Sequence, residues 1–266
     1  MVRRMTERVF ILTKYRNNNK INTFIQGEEL FSSSEVFQMI EDDGIAWDDL
    51  RLVEYSEKSE YESDLRIFNE VKDDLENYKV ILINPVSYLK DKYKRMKFRL
   101  KNLILSDDTS IPLDKTIRET PKQKRRRTEG NRPNMGNAKI VIDKSKEESR
   151  PMYFVNLIKT REVAIYPPGY EGKQISGIKA LNIYARIAYK TNTKHKNEFL
   201  PFSGDVVNTI ADNTGTATEW ETFGIVKYKS FDSLLAFGSD PTFEKSFVHK
   251  DAGIDHTYVY AAFTND

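Results

Sequence analysis

The chain has three histidines and no cysteine. The missing cysteines exclude disulfides, thiolate nucleophiles and cysteine metal sites, and they fit a reducing compartment. Among the histidines, His249 is the best single candidate for chemistry. It follows a predicted helix close to the start of the last predicted strand, and a histidine can serve as acid, base or ligand near neutral pH. His195 and His256 lie in polar segments and are expected at the solvent. The three are far apart and show no H-x-x-x-H spacing, so no metal site is expected. Asn156 and Tyr184 join His249 as candidate catalytic residues. Trp220 and Tyr228 are candidate ligand contacts, because small-molecule sites are mostly apolar with a few polar groups. Lys159 and Arg161 would meet an acidic ligand. Each has a plainer alternative: a helix-end histidine, core aromatics, a polar strand edge and a solvated strand end. The sequence has no G-x-x-x-x-G-K-[ST], G-x-G-x-x-G or G-x-S-x-G, so nucleotide-binding and hydrolase readings have no support, and no cofactor is expected.

The strongest electrostatic features are cationic. A predicted helix over 86–105 carries Lys92, Lys94, Arg95, Lys97 and Arg99, and a dense run follows at Lys122–Arg127 that includes Lys124, Arg125, Arg126 and Arg127. Such patches hold phosphates or acidic proteins, and the run also reads as a nuclear-localisation-like segment. Acidic stretches at Glu41–Asp49 and Glu57–Glu76 are close by in sequence and would neutralise the helix, leaving a solvated face. The net charge of +2 is too near neutral to make the whole chain a nucleic-acid or membrane binder. No apolar run approaches the roughly 20 residues of a membrane span. Val9–Leu12 is too short for the apolar core of a signal peptide. A soluble, cytoplasmic protein is therefore expected.

The elements that must position these residues follow from periodicity. Arg8–Arg16 reads as a strand, the asparagine cluster behind it as a turn, and Ile21–Gln26 as a second strand. Ser32–Glu35 before Val36, Phe37, Met39 and Ile40 reads as a helix start. Leu50–Tyr55 is a strand, Asp64–Tyr78 an amphipathic helix and Lys79–Asn84 a buried strand. Residues 106–150 are proline-rich and polar, which predicts a linker or arm, with Ile140–Ile142 as a short paired strand. This divides the chain into an N-terminal α/β or α+β domain (1–105), the arm (106–150) and a C-terminal domain (151–266). Within the last, Met152–Ile158, Val206–Ala211, Thr222–Tyr228 and Thr257–Phe263 are strands. Helices fall at Ser176–Lys190 and in two pieces from Phe231 to Gly253, separated by Ser239–Pro241. The order is βαββαβ, the ferredoxin-like arrangement, in an α+β chain.

The residues of this half carry a resemblance. Asn156–Gly169 gives Asn-Leu-Ile, a basic tail and a Tyr-Pro turn, followed by Ser176-Gly177-Ile178-Lys179-Ala180 and Tyr184. Trp220, Tyr228 and Ser230 come next, then Phe237, Asp240-Pro241-Thr242-Phe243 and His249-Lys250-Asp251-Ala252-Gly253-Ile254. In order and spacing, Met152–Phe263 resembles an uncharacterised bacterial family, domain of unknown function 1330, which is similar to the dimeric α/β barrel superfamily. The resemblance implies two ferredoxin-like units with their sheets together and a cavity beneath the helices of each. The family's usual Gly-Gly before the second strand is Ser203-Gly204 here.

A sheet with helices on one face leaves an apolar face that something must cover. A second copy would cover it in a homodimer. The alternative is internal: Trp47–Ser56 echoes Trp220–Tyr228, with Tyr eight positions after Trp in both, so the two halves could pair within one chain. Two functions follow. In the first, the protein is a non-catalytic assembly module that homodimerises and offers its basic arm to nucleic acid or an acidic protein. In the second, it is a small cofactor-independent monooxygenase or isomerase acting on an aromatic or polyketide-like substrate.

Overall fold

The structure is a computed structural model. It describes residues 7–16, 21, 24–40, 45–85, 135–148, 150–167, 174–200, 202–215 and 219–264. In chain order these form β1 (Glu7–Tyr15), β2 (Glu28–Ser33), β3 (Glu35–Ile40), β4 (Asp49–Tyr55), α1 (Lys58–Val71) and β5 (Leu75–Pro85). Then come α2 (Met135–Glu148), β6 (Met152–Thr160), α3 (Gly177–Lys194), β7 (Glu198–Phe199), β8 (Gly204–Asp212), β9 (Thr222–Tyr228), α4 (Phe231–Gly238), α5 (Pro241–Gly253) and β10 (Ile254–Phe263).

All described strands belong to one antiparallel sheet, in the order β2-β4-β1-β5-β8-β9-β6-β10-β3, with the short β7 branching from β9. The two ends of that path are joined through Ser34. β2 and β3 are thus one bent strand that pairs with β4 on one side and β10 on the other, and the sheet closes into a barrel. The Ser33 hydroxyl fixes the bend. It donates to the Phe263 carbonyl at 2.7 Å and accepts the Glu35 amide at 3.1 Å.

Each half contributes the same strand order. Counted within its half, the second strand lies beside the third, then the first, then the fourth: β2/β3, β4, β1, β5 and β8, β9, β6, β10. The halves join where β5 pairs β8 and where β10 pairs β3. The apolar sheet face that needed a cover therefore finds it in the other half of the same chain. The pairing expected of a second copy is made internally, as the Trp47/Trp220 echo suggested.

Side-chain alternation sorts the core into layers. Phe10 and Leu12 of β1 point into the barrel with Tyr153, Val155 and Leu157 of β6, Phe223 and Ile225 of β9, and Tyr258 and Tyr260 of β10. Phe10 meets Phe223 at 5.1 Å and Tyr260 at 6.4 Å, so the interior mixes side chains of both halves. Outside, α1 packs Phe68 against Val9, Ile11 and Val80. On the other half α2, α4 and α5 bring Val141, Phe231, Phe237 and Phe243 onto Met152, Val226 and Phe263.

Several expectations are corrected. Val36–Ile40 is strand β3, not helix: the serines mark the barrel bend, and tertiary pairing with β10 outweighs a helix-start pattern of five residues. The second strand lies at Glu28–Ser33 instead of Ile21–Gln26. The helix expected over Asp64–Tyr78 runs Lys58–Val71, and β5 begins already at Leu75. Ile140–Ile142, expected as a strand within the arm, lies in α2, with Val141 buried. The predicted basic helix over 86–105 and the run Lys122–Arg127 lie outside the described residues.

A shared core predicts a shared fate. Phe10→Ala should cost about 3–5 kcal/mol and shift one cooperative transition covering both halves, followed by denaturant unfolding with circular dichroism and tryptophan fluorescence together. Two separate transitions, with only one displaced, would contradict the common interior.

Candidate functional site

The three candidate catalytic residues are held by structural partners. His249 sits on α5, 6% exposed, with its Nδ1 2.8 Å from the Tyr166 hydroxyl and the two rings edge to face. Three residues on, Ala252 and Gly253 form a close joint with the start of α3. The Arg161 amide donates to the Gly253 carbonyl and its carbonyl accepts the Gly177 amide, at 2.9 and 3.0 Å. A Cβ on either glycine would collide with the backbone of this joint. The Ser-Gly-x-x-Ala and His-x-x-Ala-Gly segments therefore meet each other. Asn156 donates its side-chain amide to the carbonyls of Phe154 and Gly224 on its own sheet. Tyr184 lies among Phe243 and Phe247, and burial, then the nearby Asp251 charge, pushes its hydroxyl well above the ordinary tyrosine range. Tyr228 is buried against Phe154 and Phe237 and shifted upward by burial in the same way.

His195 is drawn in more than expected. Its Nε2 lies 3.2 Å from Asp240 Oδ2, which also accepts from Lys194 at 2.6 Å, while Oδ1 caps α5 through the Thr242 amide. The Lys194 hydrogen bond, above all, holds the Asp240 carboxyl far below its usual range against the opposing effect of burial. Arg161 pairs with Asp255 at 3.0 Å.

Lys159 and Trp220 belong to a node that both halves repeat. The Glu221 amide donates to the Ile158 carbonyl at 2.9 Å and the Asp48 amide to the Thr13 carbonyl at 3.0 Å. Each acid then accepts the amide two residues further along the first strand: Thr160 to Glu221 at 3.0 Å, Tyr15 to Asp48 at 2.9 Å. Each also pairs with the lysine between, Lys159 at 3.4 Å and Lys14 at 3.3 Å. Burial opposes ionisation of Glu221, but the two Thr160 hydrogen bonds and the Lys159 charge outweigh it and lower its pKa. The residue before each acid is a tryptophan, Trp47 or Trp220. Both indoles are buried in the barrel, and neither Nε1 has a hydrogen-bond partner among the described residues. Four antiparallel steps separate β1 from β6, so these strands run the same way and the two nodes lie at one end of the barrel.

The halves differ at the fourth strand. Leu12 faces Lys79, and its counterpart Leu157 faces Tyr258. Lys79 is fully buried, with Nζ 4.5 Å above the Tyr258 ring and 3.5 Å from Asp212 Oδ2. Trp220 packs against the same ring, 4.8 Å from the Tyr258 centroid. Beside it the barrel wall opens. β8 pairs β9 only at Gly204 and Asp205, with one further bond from the Val206 amide to Glu221. The gap is a cleft of about 760 Å³, lined by Val206–Asp212 and by Lys159, Trp220 and Glu221. A second cleft, about 570 Å³, lies beside Phe31, Asp49, Tyr153 and Lys227. Neither is lined by His249, Asn156 or Tyr184. Sequence reasoning named Trp220 and Lys159 but missed Lys79 and Asp212. A lysine opening an otherwise apolar strand at Lys79–Asn84 was the available signal for the first.

No family model matches the chain, and no curated protein does. Among solved structures, a protein of unknown function from Rhodopseudomonas palustris is 17% identical, covering 48% of this chain and 94% of that one at a TM-score of 0.41. A candidate monooxygenase from Lactobacillus acidophilus is 10% identical over 97% of this chain and 93% of that one, also at 0.41. A chlorite dismutase from Candidatus Nitrospira defluvii is 8% identical over 99% and 93%, at 0.42. Likenesses this distant carry nothing about activity. No described helix is long and apolar enough to cross a membrane.

The Asp240 network gives a pH-dependent stability. Its carboxyl is depressed in the folded state, so its contribution is complete above the unfolded value near pH 4 and lost as pH falls through the lower folded value. Asp240→Ala should cost about 1–2 kcal/mol at pH 7 through the lost α5 cap, and the gap to the parent should narrow in urea melts as the pH falls below 4. A gap independent of pH would contradict this assignment.

Proposed function

We propose that the protein is a small-molecule enzyme, of the monooxygenase or isomerase kind, that takes an aromatic substrate into the cleft between β8 and the Trp220 end of β9. One observation carries the reading: a cleft whose volume falls in the range of small-ligand sites, with the Trp220 ring and the charged Lys159 and Glu221 side by side on its wall. Tyr258 behind Trp220 extends the aromatic surface, and Lys159 and Glu221 form a charged rim. His249 and Tyr184 support the α3–α5 layer and Asn156 its own sheet in this reading, and Trp220 and Lys159 keep their assignment as ligand contacts.

The assembly reading has less behind it. It needed an uncovered sheet face, and that face is covered within the chain. Any homo-oligomer would form through outer surfaces. A cytoplasmic location accords with a cysteine-free chain.

The repeat supplies an internal control. Trp220→Leu should weaken binding of 2-naphthoate, an aromatic carboxylate, by roughly threefold to tenfold, as expected for a lost aromatic contact. Trp47→Leu, outside the cleft, should leave it within about twofold. Isothermal titration of both variants and the parent checks this. Equal affinity for all three would refute the cleft as the site.

A further inference from the structure

Lys159 stands on the cleft wall with two acids, and only one of them belongs to the register node. Lys159 continues the inward row of β6 that runs through Tyr153, Val155 and Leu157, and its side chain is 27% exposed. Glu221 is the fastened acid. Its Oε2 accepts the amide and the hydroxyl of Thr160, at 3.0 and 2.5 Å, and its Oε1 lies 3.4 Å from Lys159 Nζ. Glu219 is held differently. Its Oε2 lies 3.6 Å from the same Nζ, yet its side chain is 95% exposed. An ion pair so open to water contributes little to stability. The repeat shows that the register tie does without it. At the other node Asp48 holds Lys14 and the Tyr15 amide, and the position that answers to Glu219, two residues before the acid, is Ala46. The second acid is thus an addition at the node whose tryptophan and lysine line the cleft, and Glu219 lines it too. Both contacts to Nζ are longer than the about 2.7–2.9 Å of a charge-assisted hydrogen bond, and an ammonium carries three donors. A carboxylate within reach of Lys159 therefore already stands on the cleft, and it is held loosely.

We propose that Glu219 is a displaceable counter-ion, keeping a place on Lys159 that the carboxylate of an aromatic acid takes over when its ring meets Trp220. The proposal rests on the reading of the cleft as a small-molecule site. It narrows the substrate class to aromatic carboxylates and makes Lys159 the residue that selects for the charge. The exchange swaps one carboxylate for another, so the ammonium is neutralised before and after. Glu221, fastened by Thr160, stays in place throughout. A neutral aromatic compound of the same shape gains only the ring contact, because it has nothing to offer Lys159 in place of Glu219. Discrimination by an acid that only the correct ligand can replace is specificity built on competition.

The test compares 2-naphthoate with 2-naphthamide, its uncharged analogue, by isothermal titration of the full chain. The parent should bind the carboxylate more tightly. Glu219→Gln should tighten 2-naphthoate by about threefold to fivefold, the upper end of what an exposed ion pair is worth, and leave 2-naphthamide unchanged. Lys159→Gln should weaken 2-naphthoate by about tenfold and bring the two compounds to equal affinity. Glu219→Gln alters a solvent-exposed side chain, so it keeps the test decisive if the Lys159 variant folds poorly. Binding of 2-naphthoate that Trp220→Leu lowers, but that Glu219→Gln leaves unchanged or weakens, would overturn the counter-ion and leave the cleft standing as the site. Absence of binding of both compounds to the parent would overturn both.

Discussion

Two sheet faces that cover each other are the constraint on which the rest of this protein depends. Each half is a four-stranded sheet with helices outside, and each would expose Phe10, Leu12, Phe223 or Tyr260 if it stood alone. Burial of apolar area on this scale is the dominant favourable term in folding. The closure is made by strands that change partner. β2 and β3 turn at Ser34 to pass from β4 to β10, and β8 leaves β9 after two residues to follow β5 along its whole length. The Ser33 hydroxyl fixes the first crossing. At the second, β8 diverges from β9 and the cleft lies in the gap.

The repeated lysine–acid–tryptophan node shows how a motif can be structural and functional at once. In both halves the acid ties the start of the third strand to the end of the first through two backbone hydrogen bonds and an ion pair. This is an economical way to set strand register, because it satisfies an amide that the ladder no longer serves. The tryptophan before it is thereby driven into the barrel, where its N–H finds no acceptor among the described residues. The Trp220 ring also lines the cleft beside β8.

The sequence showed the C-terminal half well because its periodic segments are long and its caps strong: Ser230 and Asp240 cap α4 and α5 through their side chains. It showed the internal pairing only faintly, through the spacing of Trp47 and Tyr55 against Trp220 and Tyr228. That spacing marks the third strand in both halves, and it survives where the rest diverges because the node needs those residue types. Local signals misled where tertiary pairing decides the outcome. Val36–Ile40 follows a run of serines that reads as a helix cap, yet β10 needs a partner there. Residues 135–148 read as a polar arm because α2 is only weakly amphipathic, burying Val141 and Ser145 on one side. The site was harder to read than the fold. Lys79 and Asp212 are 133 positions apart in sequence and become neighbours only through the β5–β8 register.

That register also places an asymmetry between the halves. Lys79 and Tyr258 occupy equivalent positions in the two halves, and they face each other across the barrel, cation over ring. A fully buried ammonium is costly unless it is paired. Here an aromatic face and a carboxylate share that task, and the carboxylate lies on the cleft wall. A hydrophobic residue at position 79 would repeat the pattern of the other half's apolar interior and remove the need for Asp212 altogether. Well-packed apolar replacements of buried ion pairs are commonly neutral or stabilising. The pair therefore ties the barrel interior, where Lys79 lies, to the cleft wall, where Asp212 lies.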